Sequence, residues 1–257
     1  MSDFTFNIPK LEVPLPSLGK TYPLGRDDKP IDKVTLRAMT AKDENILHSP
    51  AYVQSGFAFV KVVQSCITPP INIEVADMLV GDANLLLFML RVLSYGNEYK
   101  ASGVECPECK AKFEFDFDLT KGSSTKELIV EPTRPNENRF DFALPQSGHK
   151  IEFMLETRTV NNEIEAINKK LKKNHSEQSV TTRLKNLILT IDGKEDKKLI
   201  AEFVDEHLTS KDSLALRNYM NSISPRLDLK QQIICPECGE TVEVDIPLDY
   251  TFLYPVE

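Results

Sequence analysis

The sequence predicts an α+β protein made of two internally duplicated units of strand, helices and hairpin, preceded by an extended proline-rich N-terminal arm. Three observations carry that prediction. Cys-Pro-Glu-Cys occurs twice, at Cys106 to Cys109 and Cys235 to Cys238. Each copy follows, at nearly the same distance, an aspartate (Asp82, Asp212) that opens an apolar helical stretch, and each precedes an alternating acidic strand, Phe113 to Leu119 and Val242 to Leu248. At the N-terminus, Pro9, Pro14, Pro16 and Pro23 stand among Ile8, Leu11, Val13, Leu15 and Leu18, which locks extended dihedrals and removes backbone donors.

Residues 1–30 therefore read as the arm, whose apolar residues need a surface on this domain or on a neighbour. The first unit spans 31–119. Val34 and Leu36 alternate with Lys33, Thr35 and Arg37 as a strand. Thr40 with Asp43 forms a capping-box start, with Ile46 and Leu47 facing inward. After Pro50, helical spacing runs from Tyr52 to Ile67, with Cys66 as a small buried hydrophobe. Pro69 and Pro70 break it, a short helix is expected over Ile73 to Val80, and Asp82 is placed to cap Ala83 to Tyr95, which Gly96 ends. Period-two sequence from Glu98 to Asp118 then makes a hairpin with the first cysteine pair at its tip.

The polar run Thr120 to Thr125 breaks periodicity, so 120–127 reads as a linker. The second unit, 128–249, opens with extended stretches at Leu128 to Pro135 and Phe140 to Pro145 and a strand from His149 to Leu155. Glu163, Ile164, Ile167 and Leu171 mark an amphipathic helix ending in Lys169, Lys170, Lys172 and Lys173, charges suited to a helix C-terminus. Helical patterns follow at Thr181 to Ile191 and Lys197 to Leu208, then Asp212 before Ser213 to Ile223, then the second hairpin from Leu227 to Ile246. Residues 250–257 form a C-terminal tail.

Two thiolates two residues apart can grip one side of a tetrahedral Zn²⁺, and two such pairs supply the four ligands of a closed structural site. Cys106, Cys109, Cys235 and Cys238 are accordingly the expected ligands of a structural zinc that clasps distant parts of the chain, which makes each unit a strand–helices–zinc-knuckle hairpin. A zinc ribbon normally places its pairs roughly 15–20 residues apart. Here either the fold unites the pairs or each works alone. Surface disulfides and thiol oxidoreductase pairs are the competing readings; a redox pair would sit at a helix N-terminus in a βαβ pattern, whereas these are flanked by strand-like sequence.

Composition narrows the function. Residues Met1 to Asn7 carry neither a basic start nor an apolar core, so the expectation is a protein that is not secreted and keeps its thiols reduced. A net charge of −8 opposes phosphate binding, and only Lys110, Lys112 and Lys230 lie near the knuckles, so nucleic acid is not an expected partner. A zinc-ribbon nucleic-acid module is the competing class. No apolar run approaches the roughly 18 residues of a membrane span. Catalytic residues are not expected: His48, His149, His175 and His207 are scattered, the 10 glycines form no phosphate-cradling loop, and four thiolates leave zinc no open position for a substrate. No small-molecule substrate is expected either.

The strings Leu15-Pro16-Ser17-Leu18-Gly19-Lys20-Thr21-Tyr22-Pro23 and Val34 to Glu44, then Leu79 to Asn84, Leu90 to Tyr99 and the Cys106 knuckle, stand in an order that resembles the baseplate hub proteins of T-even-like contractile-tailed bacteriophages. The resemblance covers the first half closely and the second through the repeated knuckle. It implies a non-enzymatic hub component or assembly factor that binds other hub, baseplate and tail proteins, in the virion and, during assembly, in the host cytoplasm. The strand-then-helix opening is also similar to tail assembly chaperones. Leu11 to Tyr22 and the tail residues Tyr250, Phe252, Leu253 and Tyr254 are the expected contact segments, with packing on the protein's own core the alternative for each.

Overall fold

The computed structural model describes residues 7–173, 179–248 and 252–253, with backbone alone for 171–173 and 179. It is mixed α and β, with four small antiparallel sheets.

In the first half β1 (Lys10–Pro14) pairs with β2 (Lys33–Arg37), setting Val13 opposite Val34 and Leu11 opposite Leu36. The proline-rich segment is therefore not a free arm. Its alternating apolar side chains find their surface within the chain, and Val13, Leu15 and Tyr22 are buried. Pro14 is tolerated because it ends an edge strand. Next come α1 (Ala41–Leu47), α2 (Pro50–Ser55) and α3 (Ala58–Cys66). The Asp43 carboxylate accepts the Thr40 N–H at 2.9 Å, as a capping box requires. The single helix expected from Tyr52 to Ile67 is two, divided where Gly56 turns left-handed at φ 75°. Ile67 then bridges to Leu36.

The helix expected over Ile73 to Val80 is only a turn at Val75–Asp77, and α4 (Val80–Tyr95) begins earlier than the sequence suggested. It is apolar nearly all round because it runs through the middle of the molecule, against β1, β2, α3 and, from the second half, the strand Arg226–Ile234. Gly81 is required here, since a Cβ would run into the carbonyl of Pro225. The hairpin β3 (Glu98–Glu105) and β4 (Lys112–Asp118) follows.

In the second half β6 (Phe140–Ala143) pairs with β7 (Lys150–Phe153), and β8 (Ile188–Ile191) adds to β7. Helices α5 (Arg158–Lys173) and α6 (Ser179–Leu187) come between β7 and β8, and α7 (Lys197–Glu202) and α8 (Ser210–Ile223) between β8 and the hairpin β9 (Arg226–Ile234) and β10 (Thr241–Asp245). Two expected helices are shorter than foreseen. Ile188 to Ile191 leaves helix for strand because its branched residues complete the β7 sheet, and beyond Glu202 the chain forms a π turn, Phe203–His207.

The halves exchange their exits. The stretch expected as a linker contains β5 (Ser123–Lys126), which leaves the first hairpin and pairs with β9 of the second. Conversely, beyond the second hairpin, Phe252 lies edge-on to Tyr99 at 5.0 Å and stacked on Phe88 at 6.2 Å, both first-half residues. Phe252 and Leu253 are fully buried, so this part of the expected contact tail is core; Tyr250 and Tyr254 lie outside the described residues. Val80 and Arg158 N–H groups further tie the halves, donating to Glu156 and Met78 carbonyls at 3.0 Å each. One continuous apolar core results.

Candidate metal centre

Each hairpin closes on its cysteine pair through the same backbone bonds. The Cys106 N–H donates to Ala111 O at 2.9 Å and Lys110 N–H to Cys106 O at 3.0 Å; Cys235 N–H donates to Glu240 O and Gly239 N–H to Cys235 O, both at 2.9 Å. The residue after the second cysteine is left-handed in both, Lys110 at φ 61° and Gly239 at φ 75°. This turn brings both sulfurs of a pair to one side.

All four sulfurs, from Cys106, Cys109, Cys235 and Cys238, lie within 4.8 Å of one another. Across the hairpins Cys106 Sγ and Cys238 Sγ are 3.9 Å apart, and Cys109 Sγ and Cys235 Sγ 3.8 Å. A disulfide would need about 2.05 Å. A tetrahedron of Zn–S bonds of about 2.3 Å has edges of about 3.8 Å, so the spacing and the all-sulfur donor set fit a four-coordinate soft metal. The donors enter asymmetrically: Cys106 and Cys235 are buried beneath the tips, while Cys109 and Cys238 are exposed. Backbone N–H groups of Cys238 and Glu237 point at the Cys235 sulfur and bring its thiol down to about 7, whereas desolvation and the neighbouring sulfurs push Cys238 up to about 12, so the cluster gives up its first proton readily and holds the later ones.

The fifth cysteine, Cys66, stands apart as a buried thiol pushed up to about 11 by burial. Among the described residues no second group of three or more Cys, His, Asp or Glu donors converges. His149 is held by Asp192 at 2.7 Å and lies edge-on to Phe203, a structural arrangement; His175 lies outside the described residues.

Neither aspartate expected as a helix cap caps anything. Asp82 is the third residue of α4, and its carboxylate accepts the Ser17 N–H at 2.9 Å and the Tyr22 hydroxyl at 2.5 Å. Asp212 is the third residue of α8, whose cap is Thr209; its carboxylate accepts the N–H groups of Gln146 at 2.7 Å and Ser147 at 3.0 Å. Both reach back to a loop between paired strands.

The family described as T4 bacteriophage base plate protein matches residues 8–207 of the chain. The chain belongs to that family. The matched span of this baseplate protein takes in Cys106 and Cys109 and stops short of Cys235 and Cys238. No curated protein and no solved structure matches it. No helix among its described residues is long and apolar enough to cross a membrane.

Proposed function

We propose that this baseplate protein is a non-enzymatic component of the tail hub, or a factor that assembles it, and that one zinc ion held by Cys106, Cys109, Cys235 and Cys238 clasps its two halves. Family membership supports the place in the tail, with other hub, baseplate and tail proteins as partners, in the virion and in the host cytoplasm during assembly. The observation that carries the clasp is the spacing of 3.8–3.9 Å between sulfurs of different hairpins. When bound, zinc supplies a closed tetrahedral link and no vacancy for a substrate. The chain's own part is to present two preformed turns, with the buried Cys106 and Cys235 fixed by their hairpins.

A duplicated architecture, with repeats at 31–119 and 128–249, is supported by the matching order of elements and by the matching reach of Asp82 and Asp212. Nucleic-acid binding by the knuckles is disfavoured, because Lys110 stands 3.9 Å from Glu105 and Lys230 stands 2.9 Å from Glu243.

Metal analysis of protein purified under reducing conditions should find one zinc per chain; metal-free folded protein would remove the clasp. Peptide mass spectrometry of purified virions and of tail intermediates tests the rest. Presence in finished tails makes it a component, presence in intermediates alone makes it an assembly factor, and absence from both overturns the assignment.

A further inference from the structure

We infer that the groove between α5, α6 and α8 docks an acidic amphipathic segment of a neighbouring baseplate protein, an inference that rests on the reading above. Two adjoining cavities of about 280 and 170 Å³ share Leu155, Glu156, Arg183, Asn221 and Ser224, so they form one elongated groove. One end opens between the three helices. The other reaches the start of α4 at Gly81 and the start of β9 at Arg226.

The floor is apolar, with Ile164, Leu184, Leu187 and Met220, and Val180 stands 42% exposed at the rim. An elongated groove of mixed polar and apolar lining, with an exposed apolar lip, suits an amphipathic extended or helical peptide better than a compact small molecule. Charge identifies which peptide. In a chain of net charge −8, the groove is lined by three guanidinium groups, Arg183, Arg217 and Arg226, and by one carboxylate, Glu156. Glu156 is already engaged by Arg183 at 2.6 Å, and Arg226 holds Asp228 at 2.9 Å. Arg217 uses Nε alone, donating to the Ser213 carbonyl at 3.3 Å. On α5 the exposed Lys169 and Lys170 are balanced by the exposed Glu163 and Glu165, so the positive character of the groove rests on the arginines that line it.

A further group lacks a partner. Asn168, on α5, lines the groove, and its buried Oδ1 accepts no hydrogen bond. A segment that laid apolar side chains on the floor, set carboxylates against Arg217 and offered an N–H to Asn168 would satisfy all three features at once.

The test uses the zinc-loaded full chain and two fluorescein-labelled synthetic peptides, one of leucine and glutamate at helical spacing and one with lysine in place of glutamate. Anisotropy should show saturable binding of the acidic peptide, about tenfold or more tighter than the basic one. Arg217→Glu and Val180→Asp should each weaken it about tenfold with the melting temperature unchanged; Val180→Asp lies at an exposed position and keeps the test open should Arg217→Glu misfold. Equal binding of both peptides, no saturation by about 1 mM, or indifference to both substitutions would overturn the inference. So would an oligothymidylate that binds with the same dependence on Arg217. If the acidic peptide binds but virions and intermediates lack the chain, the baseplate reading fails while the groove's preference stands; the reverse pattern removes the groove alone.

Discussion

Asp82 and Asp212 occupy matching places. Each is the third residue of its helix, each is fully buried by its neighbours, and each receives backbone N–H from a Leu-Pro-x-x-Gly loop, Leu15 to Gly19 in one half and Leu144 to Gly148 in the other. Their surroundings differ. Asp82 is sealed by Tyr22, whose hydroxyl also accepts the Leu79 N–H at 2.9 Å; burial pushes the carboxyl up to about 6 and the phenol well above its usual value. At Asp212 burial also pushes upward, but the N–H groups of Gln146 and Ser147 outweigh it and hold the carboxyl below its ordinary value. One backbone demand, fixing a loop onto a helix start, is thus met in the first half by a costly buried network and in the second by direct backbone bonds.

The four-cysteine cluster is where the two hairpin tips meet, so loss of a metal held there should have the largest effect. Structural zinc contributes on the order of 10 kcal/mol to folding in small zinc domains. Cys106→Ser and Cys235→Ser should each raise amide exchange in both hairpins, β4 and β10 alike. If each substitution loosens only its own hairpin, the pairs work alone and the halves are independent knuckles.

The two anchors should fail unequally. Tyr22→Phe leaves the Leu79 N–H and one Asp82 oxygen without a partner in the core, which costs about 3 kcal/mol. Thr209→Ala, which removes the Thr209 hydroxyl that accepts the Asp212 N–H at 3.2 Å, should cost about 1 kcal/mol. Urea denaturation of both variants measures the contrast, and equal losses would mean the Tyr22 network adds nothing special.

Proton linkage gives opposite signs. Asp82 ionises at about 6 when folded and near 3.9 when unfolded, so between those values the native state binds more protons and stability through Asp82 falls as pH rises from about 4 to 6. The effect is on the order of 2 kcal/mol. Asp212 is lowered, so its contribution is present above about 4 and lost as pH falls through the folded value. Urea midpoints from pH 4 to 7 should show that Asp82→Asn removes a loss of stability with rising pH, whereas Asp212→Asn does not. Identical pH profiles for the two variants would erase the distinction.

The hairpins and the two cysteine pairs were legible in sequence because period-two alternation and the Cys-x-x-Cys spacing are local signals. The aspartates were misread because the residue that caps a helix and the residue that anchors a loop from inside the first turn are the same type, and the starts at Val80 and Ser210 lay earlier than the apolar pattern suggested. A signal that would have corrected this was present in the Leu-Pro-x-x-Gly repeat. Strand β5 offered none: Ser-Ser-Thr-Lys has no apolar alternation, and only the open edge of β9 gives it a place. The same holds for Arg183, Arg217 and Arg226, which come from three elements and meet only in the folded chain.

The smallest and cleanest contrast lies after the second cysteine of each knuckle. Both positions are left-handed, a conformation that costs a side-chain-bearing residue about 1 kcal/mol and glycine little. A Cβ at Gly239 would meet nothing within 4 Å, so backbone conformation alone should decide a substitution there. Gly239→Lys should therefore lower stability by about 1 kcal/mol and Lys110→Gly should raise it by somewhat less, since glycine also loosens the unfolded chain. The exposed Lys110–Glu105 pair, at 3.9 Å, contributes too little to reverse that sign. Thermal melts of the two zinc-loaded variants read the difference. Should Lys110→Gly melt lower instead, the lysine side chain must stabilise the first knuckle by more than the left-handed backbone costs, and the knuckle would owe its lysine to charge rather than tolerate it.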